Sequence, residues 1–167
     1  MVVLLNSIYL HIKHEAAESQ TTCTSESLTT LAEINMHQSI EGRLKHPPDF
    51  RVSYRFYDES EGGRQTTPAQ GYRSDFWYYH ELQPNPNSIY IIWPEFEDEQ
   101  GNVITDSEIR VNQRGTARMW IIAAKGRRMH RDRITVGMKG YFMEGARRVA
   151  ECEVIEILGL HSNPVEE

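Results

Sequence analysis

The feature that most limits the fold is an alternating run in which Phe50, Val52, Tyr54 and Phe56 interleave with Arg51, Ser53, Arg55 and Tyr57. A two-residue period puts successive side chains on opposite faces, so this run reads as a strand with one face in a core and the other toward solvent. Downstream, Phe76-Trp77-Tyr78-Tyr79 is a dense aromatic run of high β-propensity. The connection between the two, from about Asp58 to Ser74, has little apolar content and exceeds a common hairpin loop. Connections of that length are more often functional than idle.

The same patterning continues along the chain. Strands are expected at Asp49 to Tyr57, Asp75 to His80 and, after the Pro84-Asn-Pro86-Asn turn, Ser88 to Trp93. An acidic stretch from Glu95 to Asp106 precedes a short strand at Glu108 to Val111 and a turn at Arg114-Gly115. Thr116 to Ala123 is a strong strand with bulk on both faces, and a last hairpin joins Lys139–Glu144 to Arg147–Leu158. In the final strand the apolar residues change parity between Val154 and Ile155, as a β-bulge requires. Nothing here has sustained helical periodicity or an internal repeat. An all-β, antiparallel barrel is therefore expected, because closure removes exposed strand edges.

Residues 1–45 read as an extension of different character. Val2 to Ile12 suits a strand or a short helix, Ser19 to Thr30 has little to bury, and Thr30 and Glu33 have capping-box spacing. Met36 lies just upstream of the barrel, so a start there would leave the first 35 residues outside the natural protein. Pro47-Pro48 forces an extended backbone and marks where the barrel begins, giving expected boundaries of 46–160 for the barrel and 161–167 for a tail.

A chain of 167 residues supports one domain with a real core. Its formal charge of −6 argues against indiscriminate phosphate binding, so any contact with RNA has to be local. Cys23 and Cys152 are far apart, which points away from a disulfide framework and toward a reducing compartment. Residues 1–12 are too short to span a bilayer and poor as a secretory signal, and a cytoplasmic location is expected. Phosphate-loop, nucleophile-elbow and zinc-ligand spacings do not occur, so neither catalysis nor a cofactor is expected. His11 and His14 lie three apart without a third ligand nearby.

Two motifs carry a resemblance. Glu61-Gly62-Gly63-Arg64, a six-residue spacer and Gly71-Tyr72-Arg73 ahead of an aromatic strand form the first. The second is Glu144-Gly145-Ala146-Arg147 leading into the last strand. Together, in this order, they resemble the C-terminal, third domain of translation elongation factor Tu. That family writes Glu-Gly-Gly-Arg-His-Thr-Pro, then Gly-Tyr-Arg-Pro-Gln-Phe, and later Arg-Glu-Gly-Gly-Arg-Thr-Val-Gly. The resemblance spans roughly His46 to Leu160 and implies a six-stranded antiparallel Greek-key type β-barrel without the GTPase domain. In the family this barrel does no chemistry; it holds the tRNA T-stem and packs against protein partners.

On that resemblance Arg64 is a T-stem contact, although Gln65 replaces the family's His and adds no charge. The plainer reading pairs Arg64 with Asp58 or Glu61 in its own loop. Arg73 follows Gly-Tyr as in the family, but Ser74 replaces Pro and Asp75 replaces Gln, which favours a structural role. Lys125 aligns with a basic T-stem residue and opens a run with Arg127, Arg128, Arg131 and Arg133, five cations against Asp132, a footprint for phosphate or an acidic protein surface. Glu144 and Gly145 match a close backbone contact and also form a hairpin turn. Trp77, Tyr79 and Trp120 suit a core or interface better than base stacking. The expected function is a non-catalytic module that binds tRNA, other RNA or a translation-related protein and does not bind GTP. The alternative is a mimic of the elongation-factor surface that captures a toxin-like protein or regulator.

Overall fold

The computed structural model describes residues 36–81 and 89–166. The alternating run becomes β1 (Phe50–Phe56), its even-numbered side chains buried and its odd ones half-buried. Five further strands occur among the described residues: β2 (Asp75–Tyr78), β3 (Ile92–Phe96), β4 (Arg114–Ile121), β5 (Lys139–Glu144) and β6 (Arg147–Ile157). They form one sheet in the order β2-β5-β6-β1-β4-β3, every pairing antiparallel.

The sheet curls into a half-barrel around the rings of Phe50, Tyr54, Phe56, Phe76, Phe96 and Phe142, with Val52, Met119 and Val154 beside them. Ring pairs such as Tyr54–Phe96 at 5.2 Å and Phe76–Tyr78 at 5.2 Å meet edge to face, the arrangement aromatic quadrupoles favour. The outer strands come back together at one point. Phe76 and Tyr90 exchange backbone hydrogen bonds of 2.8 and 2.9 Å across an isolated bridge.

Two devices help bend the sheet. Arg51 pairs with Glu156 and Val52 with Val154, so Ile155 is the extra residue of a bulge at the parity change seen in the sequence. Gly115 lies opposite Tyr54, and a Cβ there would fall 2.9 Å from the tyrosine Oη. The expected turn at Arg114-Gly115 is accordingly part of β4, its glycine serving close packing of the ring.

The third strand also sits later than expected, at Ile92–Phe96 and not Ser88 to Trp93. Pro94 is tolerated inside it because β3 is an edge strand paired only with β4, where a missing N–H costs little. Glu108 to Val111 contributes only a bridge between Ala69 and Arg110. Two short α-helices occur among the described residues: α1 (Ile40–Leu44) ahead of β1, and α2 (Arg127–Arg131) between β4 and β5. Residues 36–44 thus already pack on the sheet, with Met36 bridged to Asp106 and Ile40 buried. The readings for residues 1–35 and for the proline turn at 84–87 lie outside the described residues. No helix of the described residues is long and apolar enough to cross a membrane.

Candidate functional site

The nine residues singled out from the sequence fall in three places. Arg64, Gln65, Glu144 and Gly145 gather beyond the last residue of β1. Lys125, Arg127, Arg128 and Arg131 gather before its first, about one strand length or 20 Å away. The register shows this: Phe56 pairs with Ala150, near the β5–β6 turn, whereas Phe50 pairs with Met119, near the end of β4. Arg73 follows Tyr72 and packs on Trp93.

The first group is built by a tight loop. Asp58 caps the short helical turn Glu59–Glu61 in a capping box, its Oδ1 accepting from the Glu61 N–H while Glu61 Oε2 accepts from the Asp58 N–H, both at 3.1 Å. Gly62 ends the turn at φ +85°. Gly63 then runs so close to β1 that a Cβ would fall 2.1 Å from the Tyr57 carbonyl oxygen, which explains the Gly-Gly pair. The loop thereby aims Arg64 at Glu144.

Glu144 is the hub of this end. One of its oxygens accepts from Arg64 and from the Tyr72 hydroxyl, the latter at 2.9 Å, and the other accepts from Arg147. Arg64 also lies over the Tyr72 ring, 5.4 Å from its centroid. Burial favours the neutral form of Glu144, yet the hydrogen bonds from Arg147, Tyr72 and Arg64 prevail and hold its pKa below the ordinary value. Burial, reinforced by Glu144, pushes the Tyr72 phenol up. Arg64 does not pair with Asp58 or Glu61; Glu61 binds Arg55 at 2.8 Å. Gln65 donates to Glu59 at 3.1 Å, and Gly145, at φ +57°, turns the β5–β6 hairpin. A shallow recess of about 550 Å³ lies here, lined by Gly62, Gly63, Arg64, Gln65 and Arg147 among others.

The second group is not the open basic loop that its composition suggests. A turn at Ala124–Gly126 leads into α2, which buries Arg127 and His130. Arg127 is 1% exposed; its Nε donates to Asp49 Oδ1 at 2.8 Å, its Nη2 to the Ile121 carbonyl at 2.9 Å and its Nη1 to the Pro164 carbonyl. Asp49, fully buried, also accepts from the Ile121 N–H at 2.8 Å and from Asn163 at 2.9 Å. Arg127 is therefore withdrawn from the surface, and no partner can reach it. Arg131 is half-buried and bonded to the carbonyls of Leu160 and Asn163, at 2.9 and 2.8 Å. Lys125 and Arg128 remain exposed.

Beside them His130 accepts from, or donates to, the Tyr78 hydroxyl across 2.6 Å. Burial, then repulsion from Arg133 and Arg127, pushes its pKa down to about 4, so the ring is neutral at pH 7 and one of its two nitrogens is an acceptor. Arg127, His130, Arg131 and Ile134 stand at i, i+3, i+4 and i+7. That inward stripe, mixed in polarity, was the signal that this stretch is helical and partly internal.

Arg73 bonds neither loop carbonyl nor carboxylate among the described residues; its guanidinium lies 4.7 Å from the centre of the Trp93 ring. Trp77 and Trp120 are buried, while Tyr79 is exposed. Among the described residues no group of three or more His, Cys, Asp or Glu side chains could hold a metal ion. No family model matches the chain, and neither does any curated protein.

Proposed function

We propose that this chain is a non-catalytic binding module with a Greek-key barrel of the elongation factor Tu third-domain type, and that its partner is a translation-associated protein. The observation that carries the reading is the meeting of the two motifs. Arg64 of the first and Glu144 of the second stand 80 residues apart in sequence and are joined by an ion pair, with Arg147 on the same carboxylate.

A pre-set Arg64–Glu144–Arg147 cluster on a rigid sheet offers a partner oriented donors without the entropy of ordering free side chains. The electrostatics favour protein over RNA. Of the cations in the 125–131 run, Arg127 is internal and Arg131 engaged, which leaves Lys125 and Arg128 on a chain of net charge −6. A mimic of the factor's surface would use the same cluster to hold a toxin-like protein or a regulator.

Competition tests the proposal. The immobilised chain is expected to retain a protein that binds elongation factor Tu and to release it when soluble factor is added. Replacing Arg64 and Arg147 by Ala is expected to weaken retention about tenfold, the worth of one charge-assisted hydrogen bond. A tRNA arm reads the other partner class: RNA binding would fall steeply between 50 and roughly 200 mM salt. Retention of neither, beyond that of an unrelated acidic protein, would end the reading.

A further inference from the structure

Most arginines described above are committed within the chain. Arg51 and Arg118 share Glu97, Arg55 binds Glu61 and Glu151, Arg64 binds Glu144, and Arg127 binds Asp49. Arg43 and Arg73 differ. Neither makes an ion pair or hydrogen bond among the described residues, both are exposed, and both pack on the half-buried indole of Trp93, at 5.6 and 4.7 Å from its centroid.

The fold holds them there from two sides. Arg43 belongs to α1, which is tied to β3 by Glu95. That carboxylate accepts from the Ile40 N–H at 2.8 Å and meets His37 Nε2 at 2.8 Å, two residues from Trp93. Ser39 caps the same helix on the Gly42 N–H at 3.1 Å. Arg73 follows the turn made by Gly71 at φ +87°. A depression of about 200 Å³ opens between them, with His37 and Gly71 also on its wall.

Two cations that share one ring lie within about 10 Å of each other, about a Debye length, so their repulsion is only partly screened. Stacking uses a guanidinium's face and leaves its planar fork of N–H donors for an oxyanion. We propose that Arg43, Arg73 and Trp93 form a site for a phosphate monoester. A monoester carries about −1.5 to −2 at neutral pH and balances both cations. A carboxylate or a backbone phosphodiester brings one charge, and an RNA strand would bring its neighbouring phosphates against an acidic chain. The site shares Tyr72 with the Arg64–Glu144 cluster but has its own arginines, so either proposal survives the failure of the other.

The test follows the indole N–H resonance of Trp93 in the ¹⁵N-labelled full chain. Titrants are a phosphoserine peptide, inorganic phosphate and a short RNA without terminal phosphate. A saturable shift with the peptide is expected, weakened about tenfold or more in Arg43→Gln and in Arg73→Gln, the worth of one charge-assisted hydrogen bond. Arg128→Gln, exposed and not on the wall of the depression, is expected to leave it unchanged. Arg43→Lys, which keeps the charge and loses the fork, is expected to fall between. Saturation by peptide and phosphate alike assigns the site to the phosphate group itself; saturation by the peptide alone assigns it to a phosphorylated protein. No saturable shift with either, equal response to the RNA, or titration unchanged in both glutamine variants would overturn the proposal.

Discussion

The two ends of β1 present arginines in opposite ways. At the Phe56 end Arg64 is half-buried, sharing Glu144 with Arg147 at the protein surface. At the Phe50 end Arg127 is sealed inside, its charge met by Asp49 and its other nitrogens by carbonyls of β4 and the C-terminal segment and by His46. Arg127 stands in a run of basic residues from Lys125 to Arg133, whereas Arg64 follows the carboxylates Asp58, Glu59 and Glu61. The difference teaches that a run of positive charge locates a surface only after the carboxylates that fold against it are known, and Asp49 lies 78 residues from Arg127.

That contrast predicts its own largest effect. Arg127→Ala leaves Asp49 buried with its ion pair broken and is expected to cost about 3 to 5 kcal/mol of stability, read by urea unfolding. Arg128→Gln, one residue on and exposed, is expected to change stability by less than about 0.5 kcal/mol. Similar losses in the two variants would erase the distinction between the ends.

The next effect belongs to His130. Its pKa is depressed in the fold, so below the ordinary imidazole value near 6.5 the unfolded chain binds a proton that the folded chain refuses until about pH 4. Stability is therefore expected to fall as pH drops through that window, by about 3 kcal/mol at full titration. Protonation also makes both ring nitrogens donors, so that Nδ1 can then only donate to the Tyr78 hydroxyl. His130→Gln keeps an acceptor without a titrating ring and should flatten this part of the profile. A wild-type profile flat between pH 7 and roughly 4 would show that the ring is not held neutral.

How much of this was legible follows from where the physics is local. Phe50–Phe56, Lys139–Glu144 and the extra residue at Ile155 were readable because alternation and its change of parity are properties of adjacent residues. β3 was misplaced because Pro94 is tolerated inside a strand only at an edge, and which strand lies at an edge is set by the pairing. The helix at Arg127–Arg131 is a single turn and a half whose inner face is Arg and His, which hydropathy counts as outer. The Arg64–Glu144 pair was half legible: each motif was noticed, but their contact depends on the β1–β6–β5 pairing. Arg43 and Trp93 drew no functional reading, since nothing near either one marks the other.

A smaller effect tests the loop that aims Arg64. Gly63→Ala would place a methyl group against the Tyr57 carbonyl, where backbone and not a flexible side chain must yield. A loss of about 1 to 3 kcal/mol is expected, as for other overpacked sites. The Arg64–Glu144 contact should loosen with it, measurable as weaker retention of the protein partner. Full stability together with full retention would mean that the Gly-Gly pair is not what positions this end.

The smallest effect concerns Glu144 itself. Its depressed pKa means that the folded form holds the carboxylate charged where the unfolded chain would take up a proton. The stabilisation is present above the ordinary carboxylate range and is lost as pH falls through the lowered value. Because the side chain is 25% exposed and Arg147 more so, solvent screens much of the attraction, and Glu144→Gln is expected to cost no more than about 1 kcal/mol. The cost should shrink further at 1 M salt, where the Debye length is roughly 3 Å. The buried Asp49–Arg127 pair has no such sensitivity, so unfolding both variants at low and high salt separates the two ends directly. Salt that rescued Arg127→Ala as fully as Glu144→Gln would place the two pairs in the same environment and undo the comparison.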